Sequence, residues 1–261
     1  MDLDSYLRRI NYGGSLAPTA KTLRELHVAH LLTVPFENLS IHSGQPIILD
    51  DAALFEKIVE RRRGGFCYEL NGLFASLLRA LGFNVVMLSA GVAKAEGGFS
   101  PDFDHMALLV MLEQRWLVDV GFGDLFSEPL LLDEQGEQRQ HERAYRIATE
   151  GNHLILMQRY KNGEWKAEYR FTLQPYDYAD YAEMCRYHQT SPDSHFMRGR
   201  ICTLLTTEGR ITLSDMRLIT TVNGGERRER VLTNEREYAS VLREHFGIHE
   251  NVVQQAAALK G

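Results

Sequence analysis

The chain has 261 residues, 44% of them apolar, and a net charge of −6, so it can bury a sizeable core in one large domain or two to three small ones, and its acidic balance argues against a nucleic-acid binder, which needs basic surface for phosphates. The opening MDLDSYLRRI has no basic stretch followed by an apolar one, and no apolar run approaches the length of a bilayer span, so neither a secretory signal nor a membrane partner is expected. Three scattered cysteines, Cys67, Cys185 and Cys202, form neither a disulfide framework nor a metal-ligand spacing, so the expectation is a reducing cytoplasm, free thiols and no metal.

To about Gly82 the pattern is helical. Asp2 to Ile10 reads as a short amphipathic segment. Thr19 to Leu32 carries Leu23, Leu26, His27, His30 and Leu31 at helical spacing, and Pro35 ends it. Asp50 reads as the N-cap of a helix from Asp51 to Arg63 with Leu54, Ile58 and Val59 as its buried stripe. After Gly64-Gly65 a helix from Cys67 to Leu81 places Leu70, Leu73, Phe74, Leu77, Leu78 and Leu81 on one face, and Gly82 stops it. From Asn84 to about Ala182 the texture is β. Strands are expected at Val85 to Val92, His105 to Leu112, Arg115 to Val120, Ala144 to Ala148, His153 to Tyr160 and Trp165 to Leu173, a spacing that suits a barrel or sandwich. The last region is mixed, with short strands at Ile201 to Thr206, Gly209 to Ser214 and Met216 to Thr221. A helix follows from Asn234 to Phe246, stopped by Gly247.

Three residues stand out chemically. Cys67 begins a helix, where unpaired N–H groups and the helix dipole favour a thiolate, and Gly64-Gly65 lets the backbone turn sharply and approach a ligand. A lone cysteine is more often a small core residue. His105 opens a strand from which its ring can reach a neighbouring nucleophile, although spacing alone leaves His27, His30 and His42 as competitors. Asp119 sits in an apolar strand, where a carboxylate must be paired; bonded to an imidazole it would fix the tautomer and stabilise the imidazolium.

The hairpin joining His105 to Asp119 has two registers. With a two-residue turn at Glu113-Gln114, Asp119 faces Leu108, and His105 and Asp119 point to opposite faces. With Met111 opposite Arg115, Asp119 falls opposite Ala107, diagonal to His105 and on the same face. A histidine–aspartate pair therefore requires a three-residue loop or a bulge.

Arg63-Gly64-Gly65-Phe66-Cys67-Tyr68-Glu69-Leu70-Asn71 resembles the nucleophile motif of the arylamine N-acetyltransferase family. Pro35-Phe36-Glu37-Asn38-Leu39 resembles the family's N-terminal signature, His105 heads an apolar strand as the family's histidine does, and Asp119-Val120-Gly121-Phe122-Gly123 resembles its aspartate motif. Ser194-His195-Phe196 and Thr212-Leu213-Ser214 match more loosely, so the resemblance spans nearly the whole chain. It implies an α+β fold in three parts around a cysteine-protease-like Cys-His-Asp core. These are a helical bundle over 1–83 carrying the nucleophile, a β-barrel over 84–185 carrying the histidine and aspartate, and an α/β lid over 186–261. It implies Cys67 as acetyl acceptor from acetyl-coenzyme A, His105 as base, Asp119 as its orienter, and ping-pong transfer to arylamines, arylhydrazines or related small-molecule amines. Phe122 is expected at the amine pocket, with Phe36 and Phe66 as further candidates, and Glu37 as a supporting residue. Glu96 to Asp104 matches the family poorly, so coenzyme A contacts stay unassigned. Of Arg61, Arg62 and Arg63, a solvated helix face with Arg63 paired internally is expected rather than a phosphate site. A thioester-dependent amide synthase or a cysteine hydrolase would use the same three residues, and a non-catalytic binding protein would leave Cys67 unreactive.

Overall fold

The computed structural model describes residues 1–222 and 225–249. Side-chain caps fix the first helices. Asp2 caps α1 (Leu3–Arg9) by accepting the Ser5 N–H, and Thr19 caps α2 (Ala20–Thr33) through Thr22. A two-residue strand β1 (Phe36–Glu37) and a one-turn α3 (Leu39–His42) follow. Asp50 caps α4 (Asp51–Phe55) through the N–H groups of Ala52 and Ala53. The helix expected to run on to Arg63 does not. Over Glu56–Glu60 the chain widens into a π turn, with the Arg61 N–H bonded to the Glu56 carbonyl five residues back. Arg62 then takes a φ of +53°, and Arg63 turns inward to a buried carboxylate. α5 (Cys67–Ala80) runs through the middle of the first core, its apolar face packed among Tyr6, Leu23, Leu26 and the β residues Met106, Leu108 and Val118. Gly82, at a φ of +88°, ends it as expected.

The second region is an eight-stranded antiparallel sheet, nearly closed into a barrel. Its strands are β2 (Asn84–Val92), β3 (His105–Met111), β4 (Arg115–Val118), β5 (Leu130–Leu131), β6 (Gln138–Gln140), β7 (Arg143–Glu150), β8 (His153–Arg159) and β9 (Trp165–Tyr176), in the order β5-β4-β3-β2-β9-β8-β7-β6. β3 is buried on both faces: Met106, Leu108 and Val110 meet the helical core, while Ala107 and Leu109 face the barrel interior with Tyr145, Leu156, Tyr169 and Phe171. Met111 lies opposite Arg115, so the connection is the three-residue loop Leu112, Glu113 and Gln114. The edges β5 and β6 are bridged by side chains. The Gln138 amide bonds both the N–H and the carbonyl of Leu131 at 2.8 Å. The Gln140 amide accepts from Ser127 and Glu128 and donates to the Glu128 carbonyl.

A helix α6 (Ala182–Thr190) leads to a five-stranded antiparallel sheet in the order β1-β10-β11-β12-β13, made of β1 with β10 (Ile201–Thr206), β11 (Gly209–Ser214), β12 (Arg217–Val222) and β13 (Arg227–Val231). α7 (Glu235–Phe246) covers one face with Tyr238, Val241, Leu242 and Phe246. Asn234 caps it, and Gly247 closes it at a φ of +67°. β1 comes from the N-terminal region, so this sheet reaches across the molecule. Its outer edge carries a parallel bridge between Phe36 and Gly65, two residues before Cys67. Residues 250–261, expected as part of the third region, lie outside the described residues.

Candidate active site

Each chemically singled-out residue sits where one element ends. Cys67 is the first residue of α5, His105 the first of β3, and Asp119 follows the last residue of β4. All three are buried, at 3%, 3% and 2% exposure. The observed hairpin register puts His105 and Asp119 on one face: His105 Nε2 lies 2.7 Å from Asp119 Oδ2. That contact commits Nε2 to the carboxylate and leaves Nδ1 as the ring nitrogen able to serve a thiol. Cys67 and His105 line one cavity of about 910 Å³, whose walls include Phe36, Phe122 and Phe196.

Burial works to raise the Asp119 carboxyl, but the charge and hydrogen bond of His105, with bonds from Asn71 and the Gly121 N–H, hold it below the usual range. It is a carboxylate throughout the neutral range. The Cys67 thiol goes the other way. Burial pushes it well above its ordinary value, and the nearby Asp104 and Asp119 carboxylates add to this, against a single backbone bond at Met106.

Asn71, one helical turn after Cys67, ties the three elements together. Its Nδ2 donates to the Met106 carbonyl at 2.7 Å and to Asp119 Oδ1 at 2.9 Å, and its Oδ1 accepts the Val120 N–H at 2.9 Å. His27 backs the same strand end, with Nε2 3.1 Å from the Asp119 carbonyl and Nδ1 2.9 Å from that of Ser127. Burial lowers His27 to about 4, so it is neutral and structural. His30, bonded to Tyr6, is likewise buried and held low, and His42 bonds the carbonyls of Phe196 and Gly199. Neither has a place on the cavity wall with Cys67. Gly121 is required by proximity: a Cβ there would stand 2.8 Å from Cys67 Cα and 2.7 Å from Asn71 Nδ2.

Behind the nucleophile, the first turn of α5 is held electrostatically. Glu69 accepts the Phe66 N–H at 3.1 Å and the Lys57 ammonium at 2.6 Å. Glu37 and Arg63 form an ion pair at 2.8 Å with no exposure on either side chain, and Glu37 also accepts the Leu39 N–H. Burial would raise Glu37, but the Arg63 and Lys57 charges win and hold it low. Arg63 is thus paired internally, as expected of it.

The aromatic candidates separate. Phe122 lies edge-on to His105 at 5.2 Å and beside Tyr169 at 5.6 Å, on the cavity wall with Phe36. Phe66 does not reach that wall. It is wholly buried, packed edge-on against Tyr68 and against Phe196, which takes the wall position instead. The Phe66 expectation is corrected accordingly: as the residue before the helix start, its ring turns back into the core. A second polar string on the same cavity was not anticipated. His188 Nδ1 is 3.0 Å from Ser194 Oγ, and its Nε2 is 3.2 Å from Asp104, which also accepts from Ser100 at 2.6 Å.

Comparison with known proteins identifies the family. A family profile described as N-acetyltransferase matches residues 19–255, which makes the chain a transferase. It is 35% identical over 249 residues to the arylamine N-acetyltransferase of Escherichia coli (strain K12), covering 94% of this chain and 88% of that one. It superposes on the structure of Mycobacterium marinum arylamine N-acetyltransferase with a TM-score of 0.91 at 33% identity, covering 98% and 97% of the two chains. The structure of that M. marinum enzyme in complex with CoA gives 0.90 at 32% identity, with the same coverage. The chain belongs to the arylamine N-acetyltransferase family. Among the described residues no helix is long and apolar enough to cross a membrane.

Proposed function

We propose that Cys67 carries the acetyl group between acetyl-coenzyme A and an arylamine, arylhydrazine or related amine in a ping-pong cycle. The observation that carries this reading is the 2.7 Å contact of Asp119 with His105, which lines the same cavity as a thiol at a helix start. His105 Nδ1 takes the Cys67 proton to form a thiolate–imidazolium pair, the thiolate attacks the thioester carbonyl, and Asp119 stabilises the imidazolium. The Cys67 N–H at the open end of α5 is the first donor for the oxyanion. The tetrahedral adduct collapses with loss of the coenzyme A thiolate, which takes the proton from His105. The amine then attacks the acetyl-cysteine, His105 removes its proton, and Cys67 leaves as the thiol. Phe36 and Phe122, with Phe196, form the walls against which the ring of the acceptor stacks. The working parts of this reading are the helical bundle 1–83, the barrel 84–185 and the lid 186–261. The relative whose structure contains CoA supports that donor.

The test is intact-protein mass after brief mixing with acetyl-coenzyme A, without amine, for wild type and Cys67→Ala. An acetyl-sized gain confined to wild type and discharged by an arylamine is expected. Substantial amine acetylation by Cys67→Ala would refute the covalent route. A Cys67 that iodoacetamide labels rapidly but acetyl-coenzyme A does not would point to another acyl donor.

A further inference from the structure

The loop that carries Phe122 is clasped from two sides. It leaves β4 at Asp119, turns at Gly123 with a φ of +96°, and returns to the barrel at Phe126. Its backbone is held from the five-stranded sheet by Arg210 of β11. One guanidinium nitrogen, Nη1, donates to the Gly123 carbonyl and lies 3.3 Å from Thr203 Oγ1 of β10, while Nε stands 2.9 Å from Asp124 Oδ1. From the barrel side, Arg143 of β7 pairs with the same Asp124 oxygen at 2.7 Å and donates to the Leu125 carbonyl at 3.4 Å. Asp124 is half exposed and Arg210 almost buried, with side-chain exposures of 53% and 12%. Burial works to raise Asp124, and the two arginines outweigh it, so its negative charge persists. A planar guanidinium that serves a carboxylate and a backbone carbonyl together fixes angle as well as distance, which an ammonium does not.

None of these atoms touches the reacting centre. They bracket one residue, Phe122, whose ring stands between His105 and Tyr169 on the cavity wall. On the other side of the loop, a Cβ at Gly123 would sit in ordinary contact with Phe36 at 3.5 Å and Thr203 at 3.6 Å. The clasp therefore spans two of the three regions and holds the Phe122 loop to the sheet that also contains Phe36 in β1.

We propose that Arg210, acting through Gly123 and Asp124, is a positioning residue that sets the width of the acceptor pocket and hence which amines are acetylated. This rests on the reading above of Cys67 as acetyl carrier and Phe122 as acceptor wall. Releasing the loop lets Phe122 withdraw, so a single-ring amine loses a stacking surface, while a two-ring amine gains room. The first half-reaction, which needs only Cys67, His105 and Asp119, keeps its geometry.

The experiment compares wild type, Arg210→Met, Arg210→Lys and Asp124→Asn. Acetylation of Cys67 by acetyl-coenzyme A is followed by mass under single-turnover conditions. Steady-state kcat and KM are then measured for a single-ring and a two-ring arylamine. Expected for Arg210→Met and Asp124→Asn is a Cys67 acetylation rate within about 2-fold of wild type. The ratio of kcat/KM for the two-ring over the single-ring amine rises by on the order of 10-fold, the size of one lost aromatic contact, through KM of the single-ring amine. Arg210→Lys, which keeps the charge but not the fork, recovers only part of the wild-type ratio. An unchanged ratio in both variants overturns the proposal. So does a parallel fall of both half-reactions, which would mark Arg210 as structural only. If Arg210→Met does not fold, the surface substitution Asp124→Asn decides alone. Failure of wild-type Cys67 to take up acetyl would instead overturn the reading of the function and leave its signature in every protein tested.

Discussion

Replacing Asn71 with alanine removes a side chain that touches the backbone of the histidine strand, the aspartate itself and the backbone after it. Its three hydrogen bonds are buried, at 2.7, 2.9 and 2.9 Å. The two to neutral backbone groups contribute about 1 kcal/mol each, and the one to the Asp119 carboxylate roughly 1.5–3 kcal/mol. Alanine leaves a buried carbonyl, a buried N–H and a less supported charge, so a loss of about 4 kcal/mol is expected. For a chain of this size that corresponds to a fall in Tm of roughly 8–16 °C. Catalysis should suffer separately, because Asp119 loses one of the donors that orient it toward His105. Urea denaturation at pH 7 gives the first quantity, and the single-turnover rate of Cys67 acetylation the second. A stability loss below about 1 kcal/mol together with a wild-type acetylation rate would show that these bonds do not act as described.

Deleting Glu113 leaves Leu112 and Gln114 as a two-residue loop and keeps Met111 opposite Arg115, so His105 and Asp119 stay on one face; Cys67 acetylation should stay within about 10-fold of wild type, and a fall on the order of 1,000-fold with circular dichroism still β-rich would contradict the register argument. An unfolded histidine takes up its proton near pH 6.5, whereas burial delays His27 until about 4. The unfolded chain therefore binds more protons between those values. Stability should fall as pH drops through that window, by roughly 3 kcal/mol for His27, with His30 adding to it. Urea midpoints measured from pH 7 to 4.5 check this, and His27→Gln should flatten the profile. Glu37→Gln or Arg63→Met each strands a buried charge and should lower stability by about 3–5 kcal/mol in urea titration, with the double replacement by Leu and Met recovering part of the loss.

What could be read from the sequence followed periodicity. α2, α5 and α7 announce themselves by apolar stripes, the last two with stops at Gly82 and Gly247, and each lies within one or two residues of the span expected for it. The hairpin could be narrowed to two registers, because strand faces alternate strictly; only the coordinates choose between them. What was missed lacks such a signal. β1 and β5 have two residues each, fewer than one full alternation. α6 buries little besides Cys185 and His188, so no stripe exists to find. β13 is exposed along its whole length, so its residues look like loop. The π turn at Glu56–Glu60 leaves no mark in the apolar spacing, and beyond it Arg63 pairs with Glu37, 26 residues earlier in the chain. In the candidate site, Cys67, His105 and Asp119 could be singled out by chemistry. The role of Asn71 could not, because only a contact 35 residues away shows what this polar helix residue holds; His27 stood on the α2 stripe and among the competing histidines, but nothing in the sequence gave it a backbone partner 100 residues away.

The bridging of β5 and β6 by Gln138 and Gln140 bears on how the molecule behaves in a crowd. An open strand offers a row of unpaired N–H and carbonyl groups to any passing chain and is the usual seed of edge-to-edge aggregation. At this seam the offer is withdrawn: two amide side chains occupy the backbone groups of Leu131, Ser127 and Glu128, and an amide, unlike a strand, presents nothing further to extend. The outer strand of the second sheet, β13, has a different protection in Arg227, Arg228, Glu229 and Arg230, whose charges must be desolvated before another strand can dock. Among the described residues, a pair of glutamines and a run of charges thus make two sheet edges poor templates for strand addition.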